Sequence, residues 1–332
     1  MLKIAVLGSG RIGQIHARNI AAHPGATLYG VADIDAGAAN RLAQACGTRV
    51  IEAKDAFAAD AVLIATPTPT HADLIERAAA AGRAIFCEKP IDLSADRVRS
   101  CLAAVARARV PLMIGFNRRF DPSFGSLKRR LEAGEIGALE ILSIISKDPS
   151  PPPATYVAAS GGLFRDMMIH DLDMARFLLP GEPIEVYAVA SVRVDPAIGA
   201  AGDVDTALVT LKTANGTLCQ ISNSRRATYG YDQRIEAHGA GGLLRAGNQT
   251  ATTVELANAA GFAGDPALPF FLERYAAAYR QEIDAFITGV AGGKPLAPSG
   301  IDGLKAQLLA DAATRSAQTG QPVKVDLAFD GV

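Results

Sequence analysis

Residues 3–16 read KIAVLGSGRIGQIH, and this stretch changes character twice. Residues 3–7 are an almost unbroken apolar run, too short for a buried helix and the right length for a buried strand. Gly8, Gly10 and Gly13 follow at G-x-G-x-x-G spacing, and residues 11–22 then carry helical periodicity. A strand that ends on such a glycine turn and passes directly into a helix opens a β-α-β crossover. Further apolar runs lie at residues 27–32, 61–66, 84–87 and 111–116, with helical patterns at 70–81 and 94–108. Continuous apolar strands alternating with helices predict a parallel sheet covered on both faces, a doubly wound α/β domain over residues 1–120.

Beyond residue 120 the texture changes. Residues 185–194 and 205–213 alternate, and Asn215-Gly216 separates the second run from β-like residues 217–222. Asn-Gly between two such runs predicts a hairpin with a type I′ turn. Residues 234–238 add another strand. Two helices close the chain, one over 269–287 with Phe271, Tyr275, Tyr279, Ile283, Phe286 and Ile287 on one stripe, the other over 304–318 behind a capping sequence at Ser299–Asp302. Residues 121–332 are therefore expected to form an α+β domain with a largely antiparallel open sheet. The proline run at 149–153 predicts a stiff loop, either a spacer or an edge of the active site.

Composition narrows the function. The 332 residues carry 33 basic and 34 acidic side chains, a formal charge of -1, so there is no broad positive field for nucleic acid. No uncharged apolar run reaches the roughly 18 residues a membrane span needs. The first residues lack a secretory pattern, and a cytoplasmic protein is expected. Cys46, Cys87, Cys101 and Cys219 form no C-x-x-C pair, so reduced thiols and no metal site are expected.

In the glycine turn, Gly8 makes the bend, Gly10 lets a pyrophosphate approach the backbone, and Gly13 lets helix and strand pack closely. The helix N-terminus around Arg11 and Ile12 offers N–H groups to phosphates. Asp33, at the end of the second strand, can accept hydrogen bonds from ribose hydroxyls and would repel a 2′-phosphate. These features point to NAD rather than NADP. The loop Thr66-Pro67 leads through Thr70, read as an N-cap, to His71, which is either a cofactor neighbour or a polar helix-start residue. Glu88-Lys89-Pro90 ends the strand at 84–87, and its lysine can polarise a substrate oxygen. The densest polar cluster runs from Gly161 to Leu179. Asp166 and His170 stand four apart, so a continuous helix would place them on one face. They are either a carboxylate and the general base it supports or a solvated pair. Asp173 and Arg176 read as a structural pair.

These residues resemble the Gfo/Idh/MocA oxidoreductases over essentially the whole chain. The motifs are GSGRIGQIHARN with Asp33, CEKP at 87–90, GFNRRFDPSF at 115–124, GGLFRDMMIHDLDMARFL at 161–178 and SRRATYGYDQRIE at 224–236. The fourth and fifth are most like the inositol dehydrogenase group. The resemblance implies a Rossmann domain that binds NAD through Gly8–Gly13, Asp33, Thr66, Pro67, His71, Glu88 and Lys89. It implies a catalytic set of Lys89, Asp166 and His170, and a cis bond before Pro90. Asn117, Arg118 and one of Tyr229 and Tyr231 would contact a cyclic polyol or sugar. It further implies packing of the open sheet in a homotetramer. The expected reaction is oxidation of an inositol hydroxyl to a ketone; the rivals are an aldose dehydrogenase giving a lactone and an NAD-binding regulator without catalysis.

Overall fold

The computed structural model describes residues 1–328, which form two compact units. Met1–Phe120 groups with Ala278–Gln307, and Asp121–Ala277 groups with Leu308–Leu327. Residues 278–307 fall with the first unit rather than with the remainder of 121–332. Their apolar stripe explains why: Ile283, Phe286 and Ile287 complete the core that holds Ile4, Val6, Ile20 and Phe86.

In the first unit the strands are β1 (Leu2–Leu7), β2 (Ala26–Ala32), β3 (Ala61–Ile64), β4 (Ala84–Glu88) and β5 (Leu112–Gly115). They form one parallel sheet in the order β2-β1-β3-β4-β5. The intervening helices are α1 (Arg11–Ala22), α2 (Ala36–Ala45), α3 (His71–Ala80) and α4 (Ala95–Ala108). β3 and β5 are buried at every position, which is why they read as unbroken apolar runs. Strand order reverses between β1 and β3, and the carboxyl ends beside that reversal are where open α/β sheets bind ligands.

The second unit is built on a seven-stranded sheet. Its strands are β6 (Leu139–Lys147), β7 (Pro183–Ser191), β8 (Thr206–Thr213), β9 (Leu218–Ser224), β10 (Asp232–Gly239) and β11 (Gly242–Ala246). A detached hairpin of β12 (Glu255–Asn258) and β13 (Gly261–Gly264) precedes β14 (Val323–Lys324), which completes the sheet. The order is β11-β10-β6-β9-β8-β7-β14. All neighbours are antiparallel except β6 and β9, so the sheet is mixed. One face is buried. The other exposes Ile141, Tyr187, Val189, Leu208, Leu218 and Leu243. A depression of about 370 Å³ on this face is lined by Ser143, Gln220, Arg234 and Arg245, none of them a candidate site residue.

Three local expectations change. The β8–β9 hairpin forms, but its turn is not type I′. Gly216 donates to Thr213 O at 3.0 Å and has φ +90°, whereas Asn215 does not have positive φ. The asparagine side chain instead accepts from Thr213 Oγ1 and Thr217 N, making a three-residue loop closed by a glycine. The helix expected at 269–287 is two, Phe271–Arg274 and Ala276–Ala291. The cluster at 161–179 is also two helices, Gly162–Asp166 and Ile169–Leu178. At the join, Met168 N reaches back to Leu163 O and His170 N to Met167 O, so the 3.6-residue register is lost between Asp166 and His170. The inference that those two side chains stack on a single helix face does not survive this break. The cap before the final helix, Gly300–Thr319, does form: Ser299 N and Oγ both donate to Asp302 Oδ2, and Asp302 N donates to Ser299 Oγ.

Buried polar groups hold the second unit in register. Arg274 is buried in an ion pair with Asp121, and its guanidinium lies 5.2 Å from the centre of the Phe124 ring and 4.7 Å from that of Tyr275. Asp121 also caps the helix Pro122–Glu132 by accepting from Ser123 N and Phe124 N. Burial pushes the Asp205 carboxyl up. Three backbone N–H groups, from Arg193, Val194 and Asp195, together with the Thr206 hydroxyl outweigh that and hold it below the usual range. Removing one partner of a buried pair leaves the other uncompensated. Arg274→Met should therefore destabilise the protein by about 3–5 kcal/mol, read from denaturant unfolding; a loss below about 1 kcal/mol would mean that the pair is dispensable.

Candidate active site

The parallel register brings the candidate cofactor residues to one edge. Leu7 pairs with Ala32 and with Ile64, Ile64 pairs with Cys87, and Glu88 pairs with Gly115. The segments that follow, from Gly8, Asp33, Thr66, Lys89 and Asn117, therefore leave the sheet side by side. Gly8 has φ +101°, and a Cβ there would lie 2.4 Å from Ala65 O. At Gly13 it would lie 2.0 Å from Gly8 O. Gly10 differs: a Cβ there would meet nothing within 4 Å, and no side chain caps α1. Tight backbone packing at Gly8 and Gly13, with open space over an uncapped helix end at Gly10, is what a dinucleotide pyrophosphate requires.

Asp33 Oδ2 accepts from Ser9 N and Oδ1 from Asp35 N at 2.9 Å, which points the carboxylate along this edge. Ile34 beside it is fully exposed, an apolar surface with no protein contact to explain it. These residues fit a ribose and base beyond the pyrophosphate.

Glu88 ends β4 and accepts from His16 Nε2 at 2.7 Å. Lys89 follows, and the Lys89–Pro90 bond is cis. His71 is buried. Its Nδ1 lies 2.7 Å from Pro90 O and its Nε2 2.7 Å from Thr66 O, so it ties the Thr66-Pro67 loop to the Lys89-Pro90 loop. Burial pushes its pKa down, against the pull of those two carbonyls. Thr70 does not cap α3 with its side chain; its hydroxyl donates to Pro67 O and pairs with Thr66 Oγ1. Asn117 and Arg118 lie buried in the single turn after β5.

In the second unit Asp166 ends its short helix. Tyr156 Oη donates to Asp166 Oδ1 at 3.0 Å, and Arg225 Nη2 lies 3.6 Å from Oδ2. Arg225 is buried and also lies 3.8 Å from Asp148. Burial, and after it the Asp166 carboxylate, pushes the Tyr156 phenol up, so it stays a proton donor. Both partners escaped the sequence reading. Tyr156 stands three residues after the proline run, which leads into the helix Ala154–Ser160 that carries this Asp166 partner. Arg225 stands in SRRATYGY beside the tyrosines that drew attention. Asp171 is buried and bonded to Asn223. Arg176 pairs chiefly with Glu182, and lies 3.9 Å from Asp173. Of the paired tyrosines, Tyr231 is buried against Phe270 and Tyr275, whereas Tyr229 is half exposed with its hydroxyl donated to Asp232.

The fold and this edge define a dinucleotide-binding oxidoreductase class. Residues 2–116 match the family model for the oxidoreductase family, NAD-binding Rossmann fold, and residues 128–325 that for the oxidoreductase family, C-terminal alpha/beta domain. The chain belongs to the Gfo/Idh/MocA oxidoreductase family, and its cofactor is NAD. It is 52% identical to the inositol 2-dehydrogenase of Rhizobium meliloti, over 98% of this chain and 99% of that one. It is similar to the crystal structure of a myo-inositol dehydrogenase from Corynebacterium glutamicum, with 46% identity, TM-score 0.95, and 98% and 99% of the two chains covered. A scyllo-inositol dehydrogenase from Lactobacillus casei, solved with bound NAD(H) and scyllo-inositol, matches at 29% identity and TM-score 0.91 over 98% and 99%. No helix among the described residues is long and apolar enough to cross a membrane.

Asp33→Ala should narrow the preference for NAD over NADP at least tenfold in kcat/KM, the scale of one lost charge-assisted contact of about 1.5 kcal/mol. An unchanged ratio removes the proposed role of Asp33.

Proposed function

We propose that this chain is an NAD-dependent inositol dehydrogenase that oxidises one ring hydroxyl of myo- or scyllo-inositol to the ketone. The observation that carries this reading is its full-length 52% identity to an inositol 2-dehydrogenase. NAD, when bound along Gly8–Gly13, Asp33 and the loops at Thr66-Pro67 and Glu88-Lys89, supplies the hydride acceptor.

The residues of this chain then have to move one proton and stabilise one oxygen. His170 takes the hydroxyl proton, the general-base task for which an imidazole is suited near neutral pH. Asp166 stabilises the imidazolium that results. Its carboxylate is kept available and oriented by Tyr156 and Arg225. Lys89 places an ammonium group at the oxygen as charge develops there. Asn117, Arg118 and Tyr229 supply further polar contacts to the polyol; Tyr231 supports them from its aromatic cluster. In this reading residues 1–120 carry the cofactor and 121–332 the remaining substrate groups. A neutral polyol needs no electrostatic funnel, in keeping with the balanced charge.

The oligomer in this reading is a homotetramer packed through the open face of the seven-stranded sheet, supported by the apolar residues exposed there. The compartment is the cytoplasm, in keeping with free cysteines of which three are buried.

Lys89→Ala and His170→Ala should each lower kcat by roughly 10²-fold or more, with NAD affinity retained by fluorescence titration. NADH formation should be fastest with myo- or scyllo-inositol in a panel that includes D-chiro-inositol and both glucose enantiomers. Near-normal turnover in both variants would sink the catalytic assignment, and a preference for glucose would move the substrate to the aldose class.

A further inference from the structure

Beneath the Lys89 loop lies a buried acid that the mechanism does not use. Glu282, on the helix Ala276–Ala291, is fully buried in the first unit, and neither of its carboxyl oxygens has a hydrogen-bond partner. It occupies the apolar stripe between Tyr279 and Phe286. The titratable groups that face it are His16 from α1, with Nε2 3.9 Å from Glu282 Oε1, and Glu88 from β4. Tyr279, one turn earlier on the same helix, packs its ring against His16 at 5.7 Å. Phe86 packs edge-on to His16 at 5.1 Å and to Phe286 at 5.7 Å. Two carboxyl groups thus converge on one imidazole inside a ring-lined box.

The 2.7 Å contact is satisfied when Nε2–H of His16 donates to the Glu88 carboxylate, which only accepts. That proton is committed, and none is left for Glu282. An ionised carboxylate with every lone pair unmet, in an apolar box and facing a second carboxylate, would cost far more than any contact around it returns. The protonated acid is neutral and avoids most of that cost. A divalent ion fits less well, because the nitrogen it would need is already spent on Glu88 at hydrogen-bond distance.

We propose that Glu282 is a positioning residue: as the neutral acid packed against His16, it lets the imidazole give its proton wholly to Glu88 and so fixes the end of β4 from which Lys89 projects. This rests on the reading of Lys89 as the group that acts at the substrate oxygen. Gly115, in register opposite Glu88, belongs to the same arrangement. A Cβ there would come to 3.0 Å of the Glu88 carboxyl atoms, so only glycine leaves that side chain in place.

Burial first, and then the Glu88 charge, pushes the Glu282 carboxyl well above its ordinary range. An acid raised in the folded state contributes stability that is present at low pH and lost as pH rises through its folded value. Glutamine keeps the shape and cannot ionise. Glu282→Gln should therefore match the wild-type Tm near pH 5 and exceed it by several degrees near pH 9. Its kcat/KM should stay within about twofold at pH 7, and its alkaline decline should move upward by about one pH unit or more. Glu282→Ala, which opens a gap beside His16, should lower kcat several-fold while leaving the KM for NAD nearly unchanged. EDTA should leave the wild-type Tm where it is. A Tm for Glu282→Gln below wild type at every pH would mean that the charge is needed and would overturn the proposal, as would a Tm lowered by EDTA. Coincident pH–activity profiles despite the Tm signature would overturn the link to Lys89. Normal turnover of Lys89→Ala would instead fail the catalytic reading, and the Tm comparison would still report the proton on Glu282.

Discussion

The turn after β1 packs backbone against backbone, on the residue that follows β3 and on the first turn of α1. No side chain fits at Gly8 against Ala65 O or at Gly13 against Gly8 O. That contact draws α1 down onto the sheet and leaves its N-terminus uncapped at the switch point. It also brings His16, one turn further along α1, to the end of β4, where it holds Glu88. Nucleotide edge and Lys89 loop are thus coupled through one helix whose seating depends on two missing Cβ atoms.

The second unit solves a different problem. Its sheet has one covered face, and its polar groups must be held where backbone order alone does not place them. Arg225 does this for Asp148 and Asp166, Arg274 for Asp121, and Asp205 for the backbone of residues 193–195. In each case a charge is buried and met by opposite charge or by several N–H donors, which is the condition under which burying it is tolerable. Asp166 and Asp205 show two forms of the device: one carboxylate is held by a tyrosine hydroxyl and a guanidinium, the other ties down a loop.

What was legible follows from periodicity. The five parallel strands are buried on both faces, so their apolar runs stood out, and the glycine spacing carried its own mechanism. β6 was not visible, although it is central in its sheet. Its inward positions include Ser146, and its outward positions include Ile141 and Ile145, so the period-2 contrast that marks a half-buried strand is lost. Glu282 had a signal that went unread, a charged residue inside an apolar stripe. Tyr156 had almost none, because the contact that gives it meaning is with a residue on another helix.

The sequence by itself determined the doubly wound sheet, the family and its cofactor, and it picked out the candidate site residues, because these depend on local periodicity and on motifs contiguous in the chain. Only the tertiary structure decided that the helix breaks between Asp166 and His170, that residues 278–307 complete the first core, that Tyr231 is buried while Tyr229 is not, and which groups orient Asp166 and Glu88. Those outcomes turn on how distant segments share space, on which carboxyl group meets the His16 ring nitrogen and which buried charge finds its partner. No local pattern encodes that competition.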